Sequence, residues 1–279
     1  MLKPKMSPGF LAILGLLAMT SPLATDMYLA SFTVIAVDLS TDAPTVQLTL
    51  TAFLFGIGAG QLFFGPLSDR YGRRPILIAA LSVLVVDSIA LIFVPHIALL
   101  IALRFIQGFS GAAGVVLSRA IAVDISSGAE AVRSLSLIAT VVGLGPLIAP
   151  IIGGFVGQYA GWRAVFAVLA ALTVIMFAAT TLLIPETLPP KRRNRGPLLS
   201  TFGSVGKLLK DRVFVGYVIT FSMGFGAMMA YISASPFVGQ IILGMDQVQY
   251  GLSFAAGATA LILANILNAR LARPVGART

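Results

Sequence analysis

Cysteine is absent from all 279 residues, and charged side chains make up only 10% of them. The first absence excludes disulfides, a thiolate metal site and a cysteine nucleophile. The second excludes an ordinary soluble domain, in which about a quarter of the residues would be charged. Also missing are the glycine-rich phosphate loop of nucleotide hydrolases, the His-Glu-x-x-His zinc pattern and the Gly-x-Ser-x-Gly turn of hydrolases. The chain is therefore not read as an enzyme. Any work it does is expected to draw on an ion gradient, with no cofactor.

What is present is hydrocarbon. The sequence is 58% hydrophobic and has a mean hydropathy of +0.98, which reads as an integral, multi-pass membrane protein. Its net charge of +9 would suit nucleic acid on a soluble fold, but here the basic residues sit in short stretches between apolar runs, so nucleic acid is not an expected partner. Lys3 and Lys5 before an apolar run, with Ala18, Ser21 and Ala24, have the look of a signal peptide. The run continues to about Val37, long enough at about 1.5 Å per residue to cross a hydrocarbon layer of about 30 Å, and is read as an uncleaved first helix.

Apolar runs of about twenty residues place helices near 9–37, 48–67, 75–94, 97–123, 134–157, 162–184, 213–238 and 250–269. The longest connection, 185–212, carries Pro185, Pro189 and Pro190 ahead of Lys191, Arg192, Arg193 and Arg195. It is read as a basic cytoplasmic linker, partly disordered or forming a surface helix, between a six-helix bundle (1–184) and the first two helices of a second bundle (213–279). Lysine and arginine resist translocation, which orients the chain with its N-terminus in the cytoplasm. That side then receives Lys3, Lys5, Arg70, Arg73, Arg74, Arg119, Arg133, the linker cluster through Lys207, Lys210 and Arg212, and Arg270, Arg273 and Arg278. The other side receives only Arg163, and Arg104 is left within a span.

Gly60 to Pro75 packs four charges and turn-forming residues between two apolar spans, and reads as a short hinge. Its core, Gly65-Pro66-Leu67-Ser68-Asp69-Arg70-Tyr71-Gly72-Arg73-Arg74, resembles the G-x-x-x-D-R-x-G-R-R loop motif of the major facilitator superfamily. Leu103-Arg104-Phe105-Ile106-Gln107-Gly108-Phe109-Ser110-Gly111-Ala112-Ala113 resembles the fourth-helix motif of its proton-coupled members, in which the arginine is implicated in proton transfer. Gly143-Leu144-Gly145-Pro146-Leu147-Ile148-Ala149-Pro150-Ile151-Ile152-Gly153-Gly154 resembles the antiporter motif of its drug-exporting branch. Thr25-Asp26-Met27-Tyr28-Leu29, Gly161-Trp162-Arg163 with Phe166, Pro185-Glu186-Thr187-Leu188 and Ser235-Pro236-Phe237-Val238 look like the bicyclomycin and chloramphenicol resistance type of exporter, although Ala30 stands where that type commonly has proline.

The resemblance implies an all-α fold of two six-helix halves and proton-coupled export of drugs or other small, largely apolar compounds across the inner membrane. On that pattern the chain would end about four helices early. Asn268 to Arg278 looks like a degraded echo of the first-half loop. Alternatives are a metabolite exporter, an uptake symporter, or a truncated membrane protein that transports nothing.

Charges inside hydrocarbon cost several kcal/mol unless paired or hydrated, so Asp26, Asp87 and Arg104 need a reason. Helical rise places them in one layer roughly 10 to 12 Å below the outer surface. Asp26 is expected to take up a proton or a cationic substrate with Arg104 as its counter-charge, while Asp87 and Arg104 could equally form a structural ion pair. Met27, Tyr28, Phe32, Phe53, Met223, Met228, Met229 and Tyr231 are candidate pocket residues, with Tyr28 foremost because it neighbours Asp26. Conformational gating is assigned to Gly65, Asp69, Arg70, Gly72, Arg73 and Arg74, with Asp69 capping a helix or pairing with Arg73 or Arg119, and to Gly145, Pro146, Pro150 and Gly154, which give the fifth span a bendable face. Gly108, Gly111 and Ala112 should admit a close neighbouring helix. His96 is read as solvated in an outer loop, and Asn265 and Asn268 as hydrogen bonding between helices.

Overall fold

The computed structural model describes residues 7–194 and 209–275, with side chains through Ala264 and at Leu267. Lys3, Lys5, Arg195, Lys207 and Arg278 lie outside the described residues, and so do the side chains of Asn265, Asn268, Arg270 and Arg273.

Ten α-helices follow one another among the described residues: α1 (Pro8–Asp26), α2 (Phe32–Asp38), α3 (Ala43–Tyr71), α4 (Arg73–Ile92), α5 (Ile97–Ile125), α6 (Gly128–Gly143), α7 (Gly145–Ala160), α8 (Trp162–Leu183), α9 (Arg212–Phe237) and α10 (Gln247–Val275). Among the described residues, seven stretches are long and apolar enough to cross a membrane: Pro8–Asp38, α3, α4, α5, Gly128–Ala160, α8 and Arg212–Ile242. The eighth predicted span corresponds to α10. Backbone groups in hydrocarbon must be satisfied within their own segment, which is why apolar runs of this length become helices.

Polar residues at the ends start the helices. Ser7 accepts from the Phe10 N–H at 3.2 Å, Asp42 from the Thr45 N–H at 2.9 Å, and Asp211 from the Val213 N–H at 2.9 Å. Hydrogen bonds from the Thr45 side chain and backbone hold the Asp42 carboxyl below the usual carboxylate range. His96, expected to be merely solvated, caps α5 by accepting the Leu99 N–H on Nδ1 at 3.2 Å.

Three predicted outlines change. The hinge between the second and third spans is one residue long: α3 runs through Gly65 and Pro66 to Tyr71, and only Gly72, at φ 107°, turns the chain into α4. A Cβ on Gly65 would meet nothing closer than Val116 at 3.9 Å, so no turn or tight contact requires glycine there. The first span breaks after Asp26, where a 3₁₀ segment, Leu29–Ser31, joins α1 to α2. The fifth span breaks at Leu144, because Pro146 at the second position of α7 has no N–H with which to continue the ladder of α6.

Close helix crossings depend on small residues. A Cβ on Gly108 of α5 would lie 2.9 Å from the Phe53 carbonyl carbon, and one on Gly60 of α3 would lie 2.7 Å from the Ala112 Cβ. Gly114 faces α1 instead, where a Cβ would lie 2.6 Å from the Leu17 carbonyl oxygen. The small-residue stripe of the fourth span thus serves two neighbours rather than one.

Candidate functional site

Arg104 is completely buried, with 0% of its surface exposed. Its guanidinium carbon lies 4.1 Å from the ring centroids of both Tyr28 and Phe53. Nη1 donates to the Ala24 carbonyl at 2.9 Å and to Gln107 Oε1. Tyr28 in turn is fixed through Thr49 at 2.7 Å. Since the Thr49 hydroxyl donates to the Val46 carbonyl at 2.6 Å, the phenol is the donor in that pair. Two aromatic faces and a carbonyl therefore replace the water around this cation.

The expected counter-charge lies elsewhere. Asp26 is 6% exposed and makes no ion pair with Arg104. Along a helix of 3.6 residues per turn, Ala24 and Tyr28 share a face, and Asp26, two residues from each, points away from it. Its electrostatic reach is toward Tyr250 on α10. Asp87 is the carboxylate near the arginine: it is 4% exposed and within coulombic range of Arg104, without forming an ion pair. Neither Asp87 oxygen, nor Nε and Nη2 of Arg104, has a hydrogen-bond partner. Beside them Thr20, Ala24, Ser88, Gln107, Thr173 and Met176 line a void of about 10 Å³, the size of a single water. The three charges thus divide between two sides of α1 instead of sharing one cavity.

The candidate pocket residues separate as well. Met27, Tyr28 and Phe32 are fully buried. Tyr28 packs on Phe32 at 4.8 Å and Phe166 at 5.7 Å, and Phe32 on Phe237 at 6.0 Å between centroids, so these residues fill an aromatic core in this conformation. Met228 and Tyr231 are 42% and 69% exposed on α9, away from that core. Tyr231 borders an open groove of about 330 Å³ with Ser235, Met245, Tyr250 and Phe254.

A second cluster forms around the Gly72 turn. Arg73 pairs with Asp69 at 2.6 Å and with Asp124 of α5 at 3.0 Å, and donates to Ser68 Oγ at 2.7 Å. Its backbone N–H donates to Glu186 Oε1 at 3.0 Å. Glu186 also accepts the Leu188 N–H at 2.9 Å and faces Arg193 at 3.6 Å, while Thr187 donates to Asp124 at 3.3 Å. The Asn194 N–H reaches the Asp69 carbonyl at 2.9 Å. The start of the linker, through Asn194, is thus docked on the loop motif. A Cβ on Gly72 would lie 2.8 Å from Arg193 Nη2 and closer still to Glu186.

Of the two partners considered for Asp69, Arg73 is the one engaged; Arg119 is exposed, and Arg70 is exposed over the Tyr71 ring. Arg74 donates to the Thr181 carbonyl at 2.8 Å. Sequence reasoning assigned no role to Asp124 or Glu186. The available signals were a lone acid at the end of a basic-flanked span and the acid in Pro185-Glu186-Thr187-Leu188.

The fifth span packs on two partners. On the α1 side, a Cβ on Gly145 would lie 2.7 Å from Pro22 Cβ, and one on Gly153 would overlap the Met27 backbone. On the α10 side, a Cβ on Gly154 would lie 2.6 Å from the Gln247 carbonyl oxygen, and Gly251 packs under the Pro150 carbonyl. Pro150 and Gly154 therefore share a face, as their spacing suggested, while Gly145 faces Pro22 within α1.

The fold and its buried charges define a class: a multi-pass helical membrane protein with ionisable groups buried among its helices. Within that class, the chain belongs to the major facilitator superfamily, whose family model matches residues 14–279. It is 38% identical to an uncharacterized MFS-type transporter, YdgK, of Bacillus subtilis, over 96% of this chain and 67% of that protein. It is also 38% identical to a bicyclomycin resistance protein homolog of Haemophilus influenzae, over 97% of this chain and 68% of that one. A chloramphenicol resistance protein of Pseudomonas aeruginosa is 34% identical over 86% of this chain and 56% of its own length. The chain spans about two thirds of the length of the first two relatives. The same fold occurs in a bacterial homolog of the human lysosomal transporter spinster, solved inward-facing and unoccupied, with a TM-score of 0.72 and 16% identity over 98% of this chain and 64% of that one.

Proposed function

We propose that the protein is a proton-coupled exporter of drugs or other small, largely apolar compounds, of the bicyclomycin and chloramphenicol resistance type, working by alternating access in the inner membrane with its N-terminus in the cytoplasm. The observation that carries this reading is Arg104, a cation kept fully inside hydrocarbon with two unpartnered N–H-bearing nitrogens and with the unpartnered Asp87 in coulombic range. Such an arrangement is expensive as architecture and useful for moving a proton. Asp26, on the other face of α1 and reaching toward α10, is suited to exchange a proton or a cationic compound with the space between the bundles. The charged cluster at Gly72 and the small-residue face of α7 are suited to hold and release the two ends of the bundle in turn.

Energy comes from the proton gradient and the substrate is a small molecule. The relatives named for resistance to bicyclomycin and chloramphenicol support the choice of compound class. The test is drug-driven proton release in everted membrane vesicles. Asp26→Asn is expected to abolish it, and undiminished release from that variant would remove Asp26 as the coupling residue.

A further inference from the structure

At the end of the bundle opposite Gly72, α9 does not stop as an α-helix. After Pro236 it widens into a π-helical segment, Val238–Ile242, and Gln240 lies within it. Single π turns are rare and are frequently found at functional sites. Gln240 is aimed at the break in the first span: its Oε1 accepts from the Thr33 hydroxyl at 2.6 Å, and its Nε2 donates to the Ala30 carbonyl at 2.8 Å. One carboxamide thereby joins the second-bundle helix to both the 3₁₀ segment and α2.

Three neighbouring contacts work at the same end. Gln47 Nε2 donates to the Ser233 carbonyl at 3.1 Å, and the Gln247 N–H donates to Gln158 Oε1 at 3.2 Å. Gly154 lets the Gln247 backbone of α10 approach α7 closely. The hydrogen-bonded contacts of Gln240, of Gln47 and of the Gln158–Gln247 pair all use uncharged amides. Toward the Gly72 end, by contrast, α9 is exposed along Arg212–Phe221 apart from a partly buried turn at Phe214 and Val215.

We infer that Gln240 is the latch of the outer gate, holding the two bundles together at this end in the inward-open state, with Gln47 and the Gln158–Gln247 pair as its support. This rests on the alternating-access reading above. Neutral hydrogen bonds suit the task because each has a small net worth, so a few can hold a gate shut and still be broken once per cycle. A carboxamide is needed because it accepts and donates at once; a carboxylate could not donate to Ala30.

The absence of cysteine allows a direct test by pulsed electron paramagnetic resonance in lipid nanodiscs. Spin labels are attached at Phe93→Cys and Leu243→Cys, both exposed positions at the gated end. The otherwise unaltered protein is expected to show two distances, the shorter dominant. Gln240→Ala should raise the open-to-closed ratio about tenfold and Thr33→Val about threefold. The double variant should do no more than Gln240→Ala alone, since the bond that Thr33→Val removes is one of the two that Gln240→Ala removes. If Gln240→Ala fails to fold, Thr33→Val reads the same contact from the other side. Two populations whose ratio neither variant moves would overturn the latch alone. A single distance at every pH, with drug present or absent, would overturn alternating access, and the latch with it.

Discussion

Exchanging Arg104 for lysine keeps the charge and removes the shape. The guanidinium lies 4.1 Å from each of two ring centroids and donates to the Ala24 carbonyl and to Gln107. An ammonium can approach one ring but cannot lie flat between two, and it lacks the rigid fork that holds both acceptors. One desolvated cation–π contact is worth about 1 to 2 kcal/mol, and one hydrogen bond from a charged donor about 1.5 to 3 kcal/mol. A net loss of about 3 kcal/mol, or roughly a hundredfold in turnover, is therefore expected, with the amount of protein in the membrane nearly unchanged. Arg104→Met separates function from architecture. Arg104 forms no ion pair among the described residues, so its removal leaves no broken salt bridge and takes away the cost of burying a cation; this variant should still accumulate in the membrane and yet fail to exchange drug for protons. The assay is proton-driven uptake of drug into everted vesicles, alongside thermal stability in detergent. Transport by either variant within about twofold of the parent protein would refute the argument that the cation is kept for turnover.

Gly72→Ala forces a β-carbon onto a φ of 107° and against Glu186 and Arg193, so a loss of about 1 to 3 kcal/mol is expected, seen as a lower melting temperature in detergent. Asp124→Ala leaves the buried Arg73 with Asp69 as its sole acidic partner, and should expose the start of the linker at Thr187 to proteolysis and slow transport by about tenfold; an unchanged cleavage pattern would count against the docked arrangement. Gly153→Val places side-chain atoms on the Met27 backbone, and is expected to prevent α7 from seating on α1, abolishing transport even where protein accumulates in the membrane.

What the sequence determined by itself follows from the solvent it is built for. A bilayer forces each apolar run to satisfy its own backbone, so hydropathy placed the helices, and glycine and proline spacing marked the tight crossings and the bent fifth span. The Asp69–Arg73 pair was legible because both residues fall within one turn of the chain from each other. What the tertiary structure alone decided were relations between residues far apart in the chain. Asp26 and Arg104 looked like partners, but helical phase sets Asp26 apart from Ala24 and Tyr28, which meet the cation, and the fold brings Phe53 of α3 onto its other side. Asp124 and Glu186 carried only a faint local signal and Gln240 none, since an isolated acid or amide declares its role only when another segment presents the group that it can bond. Periodicity records which solvent a side chain faces, and folding records which neighbour meets it there.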